Sequence, residues 1–478
     1  MTSPIIVWFR QDIRLADNPA LFFAAQKGSV IPIFIDDRSD NSEWNPGAAS
    51  RCWLHHSLHS LNHQLTGGLK LFQGEPLNIL IKLIKETGAK TVVWNRCYTP
   101  HAIGRDTYIK ERLLTEGIEV ASFNGSLLWE PWEIHTQSGT PYKVFTPYYR
   151  KGCFNAKPPD APLPRPKLQL YFGEDSCNQV NLDQLGLLPG HPWADRITEH
   201  WDISEDSAWA LLHKFTDERL RTYNQDRDYP AEQATSNLSP YLRWGQISPR
   251  QIWHYSQQQC SIASLEQPLD TFLKELAWRE FSYYQLYHNP SMTDDNLNHK
   301  FNHFPWQNQK ESCQNWQQGQ TGFPIIDAGM RELWQTGYMH NRVRMLVASF
   351  LVKNQRQHWH NGARWFWDTL VDADLASNSA SWQWVAGCGT DAAPYFRIFN
   401  PIIQGRKFDP HGEYVRRYIP ELSKLPERYI HSPWEAPENI LAEAKIVLGI
   451  NYPKPILDLG TTRNEALTAY SGLRSTVL

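Results

Sequence analysis

Four segments in the second half of the chain combine residue types that an ordinary protein core does not need. The densest is Asp372 to Pro401, DADLASNSASWQWVAGCGTDAAPYFRIFNP. It joins Trp382 and Trp384 to Asp372, Ala373, Asp374 and Asn378, several small residues and an aromatic-Arg-aromatic run. Small residues let backbone approach a flat ligand closely. The tryptophans offer π-faces, and the carboxylates offer charge and acceptors. This mixture implies one wall of a site for a large aromatic molecule. A second segment spaces Glu275, Trp278, Arg279 and Ser282 so that they share one helix face. That face is either solvated, with a Glu–Arg ion pair, or a cavity wall with an acid, a stacking platform and a phosphate-binding Arg. The third is His340-Asn341-Arg342-Val343-Arg344-Met345, with Asn341 and Met345 one turn apart. Asn sits poorly inside a helix unless its amide has a partner. In the fourth, Tyr223 to Ser239, the residues Thr235, Ser236, Asn237 and Ser239 surround Leu238 ahead of Pro240. A hydroxyl-rich turn entering a helix is a phosphate cradle or a simple N-cap.

These segments need a scaffold. The first 130 residues alternate short apolar runs with helical patterns. Ile5–Phe9, Val30–Asp36, Leu69–Phe72, Thr91–Asn95 and Val120–Phe123 read as buried parallel strands. Helices are predicted at Asn18–Lys27, Ala48–Leu65, Glu75–Thr87 and Ala102–Glu116. The alternation predicts a doubly wound, Rossmann-like α/β domain over 1–130. Lys157–Pro166 has five prolines in ten residues and reads as extended, within a connector spanning 131–200. From about Trp201 the periodicity is helical, as at Leu269–Tyr284, Ile325–Leu333 and Val343–Leu351. This predicts an all-helical domain over 201–478.

Composition narrows the function classes. At 478 residues, two or three domains are expected. Fourteen of the 21 tryptophans fall after position 200, so the helical half carries the aromatic excess. A net charge of −3 excludes a surface coated throughout with Lys and Arg, but not a local basic patch. The seven scattered cysteines show neither a disulfide framework nor a zinc-ligand spacing. The N-terminal apolar run is too short for a signal peptide, and no stretch is long enough for a membrane span. A monomeric cytoplasmic protein with no obligate protein partner and no metal is expected.

The ordered motifs TSNLSPYLRWGQISPRQ, KELAWREF, TGFPIIDAGMRELWQTGYMHNRVRM and FNPIIQGRKFD, with IIVWFRQDIRLADNPAL at the start, resemble the DNA photolyase/cryptochrome family. The resemblance covers essentially the whole chain and is most specific over 223–410. Within the family it is closest to photolyases for cyclobutane pyrimidine dimers. It implies a C-terminal FAD-binding domain, UV-damaged DNA as substrate, and electron transfer from excited reduced FAD to a flipped-out dimer. Tyr223, Thr235, Ser236, Asn237, Leu238 and Ser239 would hold the FAD phosphates. Asp372, Ala373 and Asp374 would flank the isoalloxazine and ribose, with Arg344 pairing Asp372, and Asn378 would face flavin N5. Trp382, Trp359 and Trp306 would form the electron-hopping chain. Trp278 and Trp384 would clamp the dimer, Met345 would touch its apolar edge, and Glu275 and Asn341 would bond its polar edge. Arg227, Arg279, Arg342, Arg397 and Gln404 would contact DNA.

Two departures stand out. Ser379-Ala380-Ser381 replaces the family's frequent Asn-Gly-Gly. His101 and Ala102 replace an Asn-Glu pair of folate-binding relatives, which disfavours a folate held in that way. A deazaflavin, another flavin, a folate held through Glu130, or no antenna chromophore remain open. The rival reading inside the family is a cryptochrome-type blue-light photoreceptor. A photolyase for (6-4) lesions is disfavoured, because those enzymes have histidines where Asn341 and Met345 stand. A generic nucleotide-binding protein with a helical cap would explain the first 130 residues but not the later motifs.

Overall fold

The computed structural model describes residues 3–37, 43–173, 179–190, 193–263, 265–391 and 396–475. Five short strands form a parallel sheet: β1 (Ile5–Phe9), β2 (Val30–Asp36), β3 (Lys70–Gln73), β4 (Thr91–Asn95) and β5 (Glu119–Phe123), in the order β3-β2-β1-β4-β5. β1 pairs with β2 from Ile5 opposite Val30, and with β4 from Ile5 opposite Thr91. The central strands β1 and β4 are buried throughout. That is why their sequences are runs of apolar residues and do not alternate. The crossover helices are α1 (Pro19–Lys27), α2 (Ala48–Gln64), α3 (Pro76–Thr87) and α4 (Pro100–Thr115).

Local signals set the helix ends. The Asn18 side chain accepts the Leu21 N–H at 3.0 Å, and Pro19 occupies the first helical position. Glu75 likewise caps α3 by accepting the N–H groups of Leu77 and Asn78 at 3.0 and 2.7 Å. Gly88 closes α3 at φ 68°, a conformation in which a Cβ is strained. Leu77, Leu80 and Leu83 of α3 then pack with Trp8, Ile33, Phe72, Val92 and Trp94 in the core under the sheet.

Chain compactness divides the molecule differently from the three segments read off the sequence. One unit comprises Met1–Arg221, Ser236–Pro290 and Val371–Ala376; the other comprises Thr222–Thr235, Ser291–Leu370 and Ser377–Leu478. The reason lies in buried polar ties from the α/β sheet to later helices of its own unit. Asp17, fully buried, accepts from Arg250 at 2.9 Å and from the Ser248 hydroxyl at 2.5 Å. Glu205 accepts the Leu15 and Ala16 N–H groups at 2.9 and 3.1 Å. Trp53 donates to Gln246 at 2.7 Å. Gly245, at φ +71°, lies so close that a Cβ would sit 2.2 Å from the Gln11 carbonyl oxygen.

The other unit is helical. Its main elements include Pro324–Thr336, Asn341–Ser349, Trp359–Thr369, most of Leu375–Ala386, Pro401–Phe408 and Glu413–Tyr418. Gly329 permits close packing of the first two, since a Cβ there would meet Val343 Cγ1 at 2.4 Å. Helix Asn341–Ser349 runs on into a wide π-turn, Phe350–Asn354, where a regular helix to Leu351 is predicted from the sequence. Among the described residues, no helix is long and apolar enough to cross a membrane.

Candidate functional site

The residues singled out in the sequence fall on both units. His101, Ala102, Glu130, Ser236 to Ser239, Glu275, Trp278, Arg279, Ser282 and Asp372 to Asp374 belong to the first, and the rest belong to the second.

In the first unit, helix Glu266–His288 buries Leu273, Leu276 and Ala277 and leaves Trp278 36% exposed. Trp278 stacks on Phe145, with centroids 3.7 Å apart and planes inclined by 11°. The ring is therefore held as a platform before anything binds. Glu275, one turn earlier, is half-buried. Arg279 is largely committed internally. Its guanidinium donates to the Ser126 carbonyl at 2.8 Å and to Glu280 at 3.2 Å, and it lies 4.8 Å from the Tyr283 ring centroid. Its side chain is only 14% exposed, which leaves little of it for a phosphate.

The Asp372–Asp374 turn is tied down residue by residue. The Ser239 hydroxyl donates to Asp372 Oδ2 at 2.6 Å, Arg243 Nε donates to the Ala373 carbonyl, and the Tyr283 hydroxyl donates to Asp374 Oδ2. Burial, with Asp374 nearby, pushes the Tyr283 phenol up from its ordinary pKa, so it stays a donor. Asn237 adopts φ 53°, a left-handed conformation that asparagine tolerates. The simple N-cap alternative for this turn does not hold. Leu238 occupies the cap position of helix Ser239–Trp244, and the Ser239 hydroxyl goes to Asp372 instead.

In the second unit, His340 caps helix Asn341–Ser349, its Nδ1 accepting the Arg342 N–H at 3.2 Å. Burial lowers the His340 pKa to about 4, so the imidazole is neutral and can act as that acceptor. Beneath it, the buried Glu332 accepts from the His340 N–H at 3.2 Å and from the Tyr414 hydroxyl at 2.5 Å. Asn341 is thereby presented in the open, and Met345 is half-buried one turn on. Arg344 donates to the Met339 carbonyl at 2.7 Å. Tyr223 is buried, with Arg227 5.2 Å from its ring centroid, and Thr235 is half-buried.

Arg342, Arg397 and Gln404 meet at one cleft of about 480 Å³, with Asp228, Asn400 and Lys407 also on its walls. Arg342 forms an ion pair with Asp228 at 2.6 Å and packs over Phe408 at 4.5 Å. Lys407 and Asp228 were not singled out in the sequence. Lys407 was findable, because it follows Gln404 by three positions on helix Pro401–Phe408 and so shares its face. Asp228, beside Arg227, gave no such signal.

Trp382 is buried edge-on to Phe366 and Trp316, with centroids 5.0 and 6.3 Å away. It fits only because position 362 is glycine: a Cβ there would lie 2.0 Å from Trp382 Cη2. Trp384, two positions on and pointing elsewhere, is half-buried and donates to the Asp391 carbonyl at 3.1 Å. Trp359 donates to Asn296 at 2.9 Å. His358, another residue that the sequence reading passed over, packs on both Trp359 and Trp306, at 5.8 and 5.1 Å. Asn378 donates from Nδ2 to the Ala363 carbonyl at 3.0 Å, which fixes its amide. The next residue, Ser379, is fully buried with no protein partner for its hydroxyl.

Residues 272–472 match the family described as the FAD binding domain of DNA photolyase, and residues 5–167 match the family described as DNA photolyase. A deoxyribodipyrimidine photo-lyase of Agrobacterium fabrum is 47% identical, covering 99% of both chains. The chain belongs to the DNA photolyase/cryptochrome family. Cryptochrome-2 of Arabidopsis thaliana, also a member, is 38% identical over 99% of this chain and 80% of its own length. Among solved structures, a class III photolyase from Agrobacterium tumefaciens superposes with a TM-score of 0.95 at 46% identity, covering 99% of this chain and 98% of that one. The residues present suit the FAD that this family's domain binds. The Ser236–Ser239 turn is not spent on capping its helix, the Asp372–Asp374 turn is fixed, and Ser379 holds a buried hydroxyl without a protein partner.

Proposed function

We propose that this chain is a light-driven DNA repair enzyme that splits cyclobutane pyrimidine dimers. The observation that carries the reading is the cleft where Arg342, Arg397 and Lys407 gather three cations on a protein of net charge −3. Clustered Arg and Lys with neighbouring amides suit a phosphate backbone. Asn341 and Met345 share the helix of Arg342, so groups suited to a base lie close to groups suited to its phosphates.

Each residue takes a physical role in this reading. A dimer is poorly stacked in duplex DNA, so extruding it costs less than extruding an intact base. Trp278, already fixed by Phe145, receives one face without losing side-chain freedom on binding, and Trp384 takes another. Glu275 and Asn341 bond the polar edge, and Met345 covers the apolar edge. When bound, reduced FAD supplies the photoexcited electron donor. Tyr223, Thr235 to Ser239, Arg344 and Asp372 to Asp374 hold that cofactor, and the carboxamide of Asn378 addresses it without bringing a full charge. Trp382, Trp359 and Trp306 carry reducing electrons inward. Arg227 contacts DNA with the cleft residues. Arg279, bonded to Ser126 and Glu280, acts more as a support for the Trp278 helix than as a phosphate ligand.

We also propose residues 1–130 as the antenna domain, 131–200 as the linker and 201–478 as the catalytic domain. A second chromophore of the folate, deazaflavin or flavin class would belong to the first of these. Glu130 is buried, paired with Arg96 through Oε1 and beside the Tyr98 hydroxyl.

The deciding experiment is illumination of the purified protein with an oligonucleotide containing a thymine dimer. Restored thymines, dependent on light and diminished in Glu275→Ala, are expected. No restored thymines from a protein that still photoreduces would favour the photoreceptor reading.

A further inference from the structure

The cleft of Arg342, Arg397 and Lys407 has two walls from separate stretches of chain, and a buried cation ties them together. Arg397 lies on the segment Phe396–Asn400 that leads into helix Pro401–Phe408. This segment has no regular backbone pairing, so its position depends on side-chain anchors. Two exist. The Phe399 N–H donates to the Ser349 hydroxyl at 3.3 Å, and Lys353 Nζ donates to the Arg397 carbonyl at 3.0 Å. The same ammonium lies 3.8 Å from the Phe396 ring centroid. Ser349 ends the helix that begins with Asn341 and Arg342, and Lys353 sits in the π-turn that continues it. Such turns widen a helix at a cost in regular bonding and recur at functional sites.

Lys353 is 3% exposed. An ammonium so buried usually has a carboxylate beside it. Here its hydrogen bond goes to a neutral carbonyl and its other neighbour is an aromatic face. Desolvation accordingly lowers its pKa from 10.5 to about 7, with the Cys388 thiol partly offsetting the shift.

We propose that Lys353 is a positioning residue for DNA recognition: it locks the Arg397 segment onto the helix of Arg342 and adds positive potential beneath the cleft. This rests on the reading of the cleft as a site for the DNA backbone. Two arginines held at a fixed separation engage two phosphates without first being ordered, and pre-ordering of this kind raises affinity. Below neutral pH the charged ammonium reinforces the cleft; as pH rises through about 7 that charge is lost. The titratable group acting on Lys353 is the Cys388 thiol, itself pushed up to about 12 by burial. Glu332, under the start of the helix of Arg342, is also raised to about 7, so the contribution of Lys353 is read from the difference between the wild-type and Lys353→Met profiles.

The test is equilibrium binding of fluorescently labelled duplexes, with and without a thymine dimer, at pH 6, 7 and 8 and constant ionic strength. The proteins are FAD-loaded wild type, Lys353→Met, Lys353→Arg and Ser349→Ala, with thermal unfolding of each as the folding control. Wild type is expected to bind both duplexes severalfold more weakly at pH 8 than at pH 6. Lys353→Met should bind about tenfold more weakly than wild type at pH 6 and show a flatter pH profile. Lys353→Arg, charged at every pH, should also be flatter but retain affinity. Ser349→Ala, which loses only a hydroxyl, should weaken binding while keeping the wild-type profile. A flat wild-type profile, or a Lys353→Met protein with wild-type affinity and slope, overturns the proposal. Wild type that binds neither duplex overturns the reading of the cleft, and this proposal with it.

Discussion

Glu332→Gln isolates the carboxylate under the Asn341 helix. Glu332 is buried and receives hydrogen bonds from the His340 N–H, the Tyr414 hydroxyl and, at 3.4 Å, the Tyr418 hydroxyl. Burial outweighs these donors and raises its pKa from 4.5 to about 7. The sign follows from linkage. Between pH 4.5 and about 7 the folded protein keeps a proton that the unfolded chain has released. Stability therefore falls as pH rises through that window and is level above it. At 1.36 kcal/mol per pH unit, the loss amounts to roughly 3 kcal/mol. Gln resembles the protonated acid and keeps a carbonyl to accept from His340 and Tyr414, so its contribution should not vary with pH. The assay is urea unfolding of wild type and variant at pH 5, 6, 7 and 8. Only the change with pH in the difference between them is used, so contributions common to both proteins cancel. The variant should gain on wild type by roughly 2.5 kcal/mol from pH 5 to pH 8, since part of the loss lies below pH 5. A difference that stays constant across this range would show that Glu332 is ionised in both states and refute the argument.

Other outcomes follow from single contacts. Asp228→Asn removes the partner of Arg342, so affinity for undamaged duplex should rise, with a steeper dependence on salt measured by titration in increasing NaCl; an unchanged slope would count against Arg342 as a phosphate contact. Trp306→Phe should block photoreduction of oxidised FAD while sparing repair by chemically reduced protein, as seen in absorbance under blue light; normal photoreduction would remove Trp306 from the chain. Gly362→Ala forces a methyl against Trp382 and should cost about 1–3 kcal/mol in denaturant titrations, with a slower photoreduction rate; an unperturbed variant would mean that the ring has room to move. Arg250→Met leaves the Asp17 carboxylate buried without its cation and should cost about 3–5 kcal/mol in the same titrations.

The sheet was legible because its signals are local. Asn18 and Glu75 cap helices using their own side chains, and strands such as Ile5–Phe9 are too uniformly apolar to be anything but buried. The family motifs were equally legible, since their residues lie in contiguous runs. The ties that set the compact units were not. Asp17–Arg250, Glu205–Leu15 and Trp53–Gln246 join positions about 190 or more residues apart, and neither partner advertises the other in sequence. Arg279 shows the same limit at a candidate site residue. Spacing puts it on a helix face with Glu275 and Trp278, but its partner, the Ser126 carbonyl, comes from a backbone group that no side-chain pattern reveals.

That limit explains why the residues missed are those behind the ones found. Asn341, Arg342, Trp382 and Arg397 carry chemical types that suggest a ligand. Glu332, Gly362 and Lys353 carry types that are common anywhere, and what distinguishes them is burial. Gly362 makes room for an indole, Glu332 fixes the start of a helix, and Lys353 holds a segment with no backbone pairing of its own. Two of the three are ionisable groups kept in a core at a cost in desolvation, with pKa values moved to about 7 from opposite directions. Carbon side chains of similar size would fill the same space without that cost. The feature the two share is a hydrogen bond to the backbone that carries Asn341 or Arg397. A role in placing Asn341 and the Arg397 segment would account for both.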